Sequence, residues 1–154
     1  MGSSNVSTFL TYVKDYLNKL TFNLRNIPGS EIFSDFVTTC LVADQPITNL
    51  RRSEINQFFR CVKKNVDTGN KLFEIAVSTC LSAWYRTKDF NRFTSCILEK
   101  VGNHPVANIV KVCAESLPDG EKLPYALTMC VYGGLDMFNM AMNRLRRDIK
   151  RLLR

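Results

Sequence analysis

Apolar residues in this chain recur at steps of three and four almost from the start, the period of an amphipathic helix rather than of a strand. The longest such run is the last, roughly Leu123 to Arg154. There Leu127, Val131, Gly134 or Leu135, Phe138, Ala141 or Met142, Leu145, Ile149 and Leu152 share one face. Pro124 suits the first turn, where a missing N–H costs nothing. Unbroken, this helix would be ~45 Å long. Gly133–Gly134 is its weak link, where a kink or thinning is expected.

Six shorter helices precede it. The first is expected after a Ser7 cap and runs to about Arg25, with Phe9, Val13, Tyr16 or Leu17, Leu20 and Leu24 inward. Ser30 caps a second, Glu31 to about Ala43, burying Ile32, Phe33, Phe36, Val37 and Cys40. A third, from Asn49 or Ser53 to Val66, turns Ile55, Phe58, Phe59 and Val62 inward. Asp67-Thr68-Gly69-Asn70 has the composition of a turn. A fourth helix, Lys71 to Thr87, carries Leu72, Ile75, Ala76, Leu81 and Trp84. Asp89 caps a fifth, Phe90 to Val101, closed by Gly102, and a sixth runs from Pro105 to about Leu117.

Nothing alternates with a period of two, and no low-complexity linker divides the chain. The pattern predicts a compact all-α bundle of about six or seven helices over residues 7–154, one domain behind a disordered segment at 1–6. Met-Gly-Ser-Ser at the start has the look of an expression scar ahead of a mature secreted chain. There is no run of 18 apolar residues to make a transmembrane helix. The first residues lack the charged start and apolar block of a signal peptide.

Six cysteines change the picture: Cys40, Cys61, Cys80, Cys96, Cys113 and Cys130. Each falls in an expected helix, with an apolar residue three before and another one after, so each lies on a buried stripe. The intervals of 21, 19, 16, 17 and 17 contain no C-x-x-C pair, and with a single histidine a metal site has no ligand set. An even number without metal spacing reads as three disulfides of an oxidising compartment, in one of 15 pairings. A bond between two helices needs Cα atoms within ~7 Å, so the helices must pack closely there. The sequon Asn5-Val6-Ser7 agrees with secretion. The alternative is an intracellular scaffold with six buried thiols.

The chain carries 21 basic and 14 acidic residues, a net +7, but the charge is local. Arg144, Arg146, Arg147, Lys150, Arg151 and Arg154, against Asp148 alone, supply +5 of it. Some of these cations favour a helix C-terminus through its dipole, though fewer would serve. The remainder describe an anion-binding face or, with Leu145, Ile149, Leu152 and Leu153, a membrane-surface helix. Arg51, Arg52, Arg60, Lys63 and Lys64 form a second basic group. If the fold brings the two together, the anion-binding case strengthens.

Catalytic patterns are absent. His104 has no flanking Ser, Cys or Asp motif, carboxylates are scattered singly, and the glycines form neither a P-loop nor G-x-G-x-x-G. A non-enzymatic protein without cofactor or metal is expected. Met137, Phe138 and Met142, within a stretch rich in Met and aromatic residues, are candidates for an apolar pocket, although most such stripes are core.

With about one cysteine per helix from Cys40 to Cys130, a basic balance and no catalytic signature, the chain resembles the secreted salivary proteins of blood-feeding insects, in particular mosquito proteins that modulate host neutrophils or platelets. No motif matches residue by residue. Odorant-binding proteins, with their C-x₃-C pair, and saposin-like proteins, with C-x-x-C ends, fit less well. The resemblance implies an extracellular effector that acts by binding. The expected partner is a host extracellular protein or a polyanion such as a sulfated glycan. A membrane surface is a further candidate, and no specific nucleic acid is expected. A carrier of small apolar ligands is the alternative.

Overall fold

The computed structural model describes residues 8–20, 27–41 and 45–153. The segment 1–6, the Ser7 cap, Leu24, the expected helix ends at Arg25 and Ala43, and Arg154 lie outside the described residues. Among the described residues there are six α-helices: α1 (Phe9–Asn18), α2 (Gly29–Thr38), α3 (Arg52–Thr87), α4 (Phe90–Val101), α5 (Val106–Ser116) and α6 (Pro124–Leu152). Short 3₁₀ turns at Ile47–Asn49 and Asp119–Glu121 join them. Among the described residues there is no strand; an isolated bridge joins Thr8 to Pro46.

The largest departure from expectation is α3. The expected third and fourth helices are one helix of 36 residues, about 54 Å long. Asp67-Thr68-Gly69-Asn70 is therefore mid-helix, not a turn. Gly69 is there for space. It is buried, and a Cβ added to it would lie 2.9 Å from His104 Cε1 and 3.3 Å from the Val106 Cβ. The glycine lets the start of α5 approach the spine of the bundle. Gly69→Ala gains ~1 kcal/mol of helix propensity but overfills this contact. We expect a net loss of about 1 kcal/mol or more in urea unfolding, whereas a stabilised variant would mean that the contact is slack.

Two other helices are shorter than their apolar pattern suggests. At the end of α1 the Leu20 N–H bonds the Leu17 carbonyl at 3.0 Å, and the Gly29 N–H donates to the Leu20 carbonyl at 2.8 Å, bringing α2 in. In α2, Asn65 of α3 donates from its amide to the Phe36 carbonyl at 3.1 Å, taking up an acceptor of the last turn. Cys40 consequently sits in the turn beyond α2, not within a helix as expected. Ser30, the expected cap, lies in the first turn, and its hydroxyl donates to the Asn18 side chain.

Elsewhere local chemistry sets the ends as anticipated. Asp89 caps α4 by accepting from the Asn91 and Arg92 N–H groups, and Gly102 closes it with a positive φ of 63°. The α6 stripe is buried from Leu127 to Ile149, and the helix passes unbroken through Gly133–Gly134. Leu152, assigned to that stripe, is 54% exposed. Ile75 is also outward, because the buried line of α3 runs through Val66, Gly69, Phe73, Ala76 and Cys80.

All six cysteines are paired: Cys40–Cys61, Cys80–Cys96 and Cys113–Cys130. They tie the end of α2 to α3, α3 to α4, and α5 to α6, with Cα separations of 5.7, 5.8 and 5.9 Å. Such bonds persist in an oxidising compartment, consistent with an extracellular protein. No helix among the described residues is long and apolar enough to cross a membrane.

A cationic face between α3 and α6

The helices α3 and α6 lie side by side and antiparallel. Arg52 lies across from Lys150, Lys63 from Arg146, and the Phe73 and Tyr132 rings meet edge-on at 5.3 Å. This register joins the two basic groups that the sequence separates by about 80 positions. On both helices the cations flank the buried stripe, and antiparallel packing places those flanks together.

Two hollows open along this seam. The larger, about 280 Å³, is lined by Leu50, Arg52, Ile55, Lys150 and Leu153. The smaller, about 70 Å³, is bordered by Arg60, Lys63 and Arg146, with the Asn139 and Asn143 amides beside them. Among the described residues, no carboxylate lines either one. Arg52, Arg60, Lys63, Arg146 and Lys150 are all exposed. Among the described residues the one ion pair is Arg92–Asp89, at 3.7 Å, so none of these five is neutralised within the fold. The start of α3 opens at the same corner, adding the positive end of its dipole.

The remaining cations divide by helix geometry. Arg144 and Arg147 face α1 with Asp148, where they surround Tyr16. Burial, then the Asp148 carboxylate, raises the Tyr16 pKa, while the two arginines oppose that shift. The acid of the basic tail therefore lies within electrostatic reach of α1 and borders neither hollow. Arg51 precedes α3, and its N–H donates to Glu54 Oε1 at 3.0 Å. Lys64 and Arg151 are exposed but border neither hollow.

The Met and aromatic stretch of α6 is split between core and surface. Phe138 is fully buried and stacks on Phe33 with centroids 4.6 Å apart. Met142 is buried next to the smaller hollow, and Met137 is half-buried against the core. Met129 and Met140 face solvent. A more spacious hollow, about 370 Å³, lies elsewhere, beside the Cys40–Cys61 bond and lined by Phe9, Leu50, Glu54 and Phe58 among others. Sequence reasoning did not single out Leu50 or the corner it forms with Leu153. Each is an ordinary amphipathic position until the two helix ends are placed together.

The chain matches no protein-family model, no curated protein and no solved structure. Its residues alone carry the functional argument.

His104, the single histidine, is part of the α3–α5 contact. Its Nδ1 accepts the Val106 N–H at 3.0 Å, and the Phe36 ring stands edge-on at 5.7 Å. Nε2 is buried without a hydrogen-bond partner. Burial lowers the imidazole pKa, partly offset by the Asn65 backbone. The unfolded chain, with a pKa near ~6.5, then takes up a proton before the folded one does. Stability should be complete above about pH 6.5 and fall as pH drops toward the lower folded value. Thermal unfolding followed between about pH 7.5 and 5 should show this decline, and His104→Gln should flatten it. An unchanged slope in the variant would place the proton elsewhere.

Proposed function

We propose that this protein is a secreted, non-enzymatic binding protein that holds a sulfated polyanion along the α3–α6 face. One observation carries the reading: Arg52, Arg60, Lys63, Arg146 and Lys150 border two hollows of one seam, and among the described residues no carboxylate lines either hollow and none of the five forms an ion pair. Exposed cations in such a row attract a flexible polyanion at long range and hold it by many contacts, each weak alone. Attachment to extracellular glycans, or to an acidic host protein, is also how a salivary effector of immunity or haemostasis would act without catalysis. The three disulfides support placing it outside the cell.

Heparin chromatography tests this. The protein should remain bound above about 0.15 M salt, where screening already weakens isolated charges. Exchanging Arg60, Lys63 and Arg146 for Gln should move elution to distinctly lower salt. Exchanging Lys14, Lys71 and Lys111, exposed cations off this seam, should move it less. Flow-through at low salt would end the polyanion reading, and equal shifts from both triples would reduce it to net charge.

A further inference from the structure

The larger hollow differs from the rest of the seam because half of its wall is apolar. Ile55, only 3% exposed, forms the floor, while half-buried Leu50 and Leu153 form the sides. Arg52 and Lys150 stand at the rim on opposite helices, neither in an ion pair among the described residues. Leu152, 54% exposed, adjoins Leu153 at the same corner. A sulfated glycan satisfies the two cations but has nothing to lay on three aliphatic side chains. A neutral apolar molecule has the converse defect. The complement is a molecule with an anionic head and an aliphatic tail.

Size narrows the class. At about 280 Å³ the hollow is at the lower edge of ligand pockets, which run ~300–1,000 Å³. At ~30 Å³ per water-sized group it accepts about nine such groups. That suits one head and a short aliphatic segment, not a sterol or two acyl chains. We infer that the corner between the start of α3 and the end of α6 is a binding site for a single-chain anionic amphiphile. Its head lies between Arg52 and Lys150, and its tail lies on Leu50, Ile55 and Leu153. Burial of each tail methylene supplies affinity, and the two cations select an anionic head over a neutral one. The site shares Arg52 and Lys150 with the glycan face, but Arg60, Lys63 and Arg146 lie outside it, so the two readings can be tested apart.

Decyl phosphate, kept below its micelle concentration, is the probe: its head and about four carbons fill the hollow, and the rest of the chain runs out over exposed Leu152; decanol and inorganic phosphate are its two halves. Calorimetry on the intact oxidised protein should show decyl phosphate binding at least about tenfold more tightly than either half. Arg52→Gln with Lys150→Gln should abolish that preference over decanol, and Leu153→Asn should weaken decyl phosphate while sparing inorganic phosphate. Arg60→Gln with Lys63→Gln should lower heparin retention and leave decyl phosphate binding intact, so the two readings fail separately. Equal binding of decyl phosphate and decanol, or no response to the Arg52 and Lys150 pair, would overturn the site. Vesicles of phosphatidylglycerol and of phosphatidylcholine identify the source. Binding of monomeric decyl phosphate without sedimentation on either vesicle points to a soluble ligand. Sedimentation on phosphatidylglycerol together with monomer binding points to a membrane headgroup. Vesicle binding without monomer binding would mean surface adsorption and would overturn the hollow.

Discussion

Reduction of all three disulfides is expected to unfold the chain outright. The bonds span 21, 16 and 17 residues. In the chain-entropy account each such loop restricts the unfolded chain by ~3 kcal/mol. Three together contribute ~9 kcal/mol, comparable to the whole stability of an ordinary domain, ~5–15 kcal/mol. The reduced chain should lose its cooperative thermal transition. Cys80→Ser with Cys96→Ser should cost about 3 kcal/mol by urea unfolding, since it removes one loop and leaves two. Titration of thiols under denaturing, non-reducing conditions should find none of the six cysteines free. Six titratable thiols would remove both the stabilisation and the extracellular placement. A reduced protein that melts at the same temperature would show that the bundle is held by packing alone.

Phe138→Ala is expected to have the largest effect of any single truncation. Phe138 is completely buried, stacks on Phe33 at 4.6 Å and tilts against Phe36 at 5.3 Å. It is the point at which α2 is anchored to α6. Truncation removes the ring's transfer free energy and leaves a cavity bounded by two phenylalanines, a loss of about 3–5 kcal/mol. Phe138→Leu, which refills most of the space, should cost less than about half as much. Urea midpoints of the two variants give the comparison. The same measurement decides what this position is for. A residue that lines an open ligand pocket would yield a small loss, recovered by added ligand. A core residue yields the full loss with no rescue.

Much of the helix content was legible because it depends on neighbours along the chain. Asp89 supplies an acceptor to the next turn wherever α4 goes, and the α6 stripe holds its period through nine buried positions from Leu127 to Ile149. What the sequence concealed depends on distant groups. Asp67-Thr68-Gly69-Asn70 has a turn's composition, and only the approach of His104 and Val106 explains a glycine inside a continuous helix. Ile75 is apolar at a plausible spacing, yet a run of 36 residues lets the buried line drift away from it. The α2 end is set by an amide 29 positions away, at Asn65. The cations could be recognised by type, but their grouping could not. Arg146 and Lys150 share a seam with Lys63 and Arg52 only in this antiparallel register. Leu50 and Leu153 form the apolar corner for the same reason.

The order of the sulfur bonds, first with second, third with fourth and fifth with sixth, has a consequence for biogenesis. No bond encloses or crosses another. Each can therefore close as soon as its second cysteine emerges during synthesis, without waiting for the C-terminus. At ~5–20 residues per second, a separation of 21 residues or fewer leaves a thiol without its mate for only about 1–4 seconds. Nearest-neighbour oxidation is then also native oxidation, and isomerases that correct mispaired cysteines have little to do on this chain.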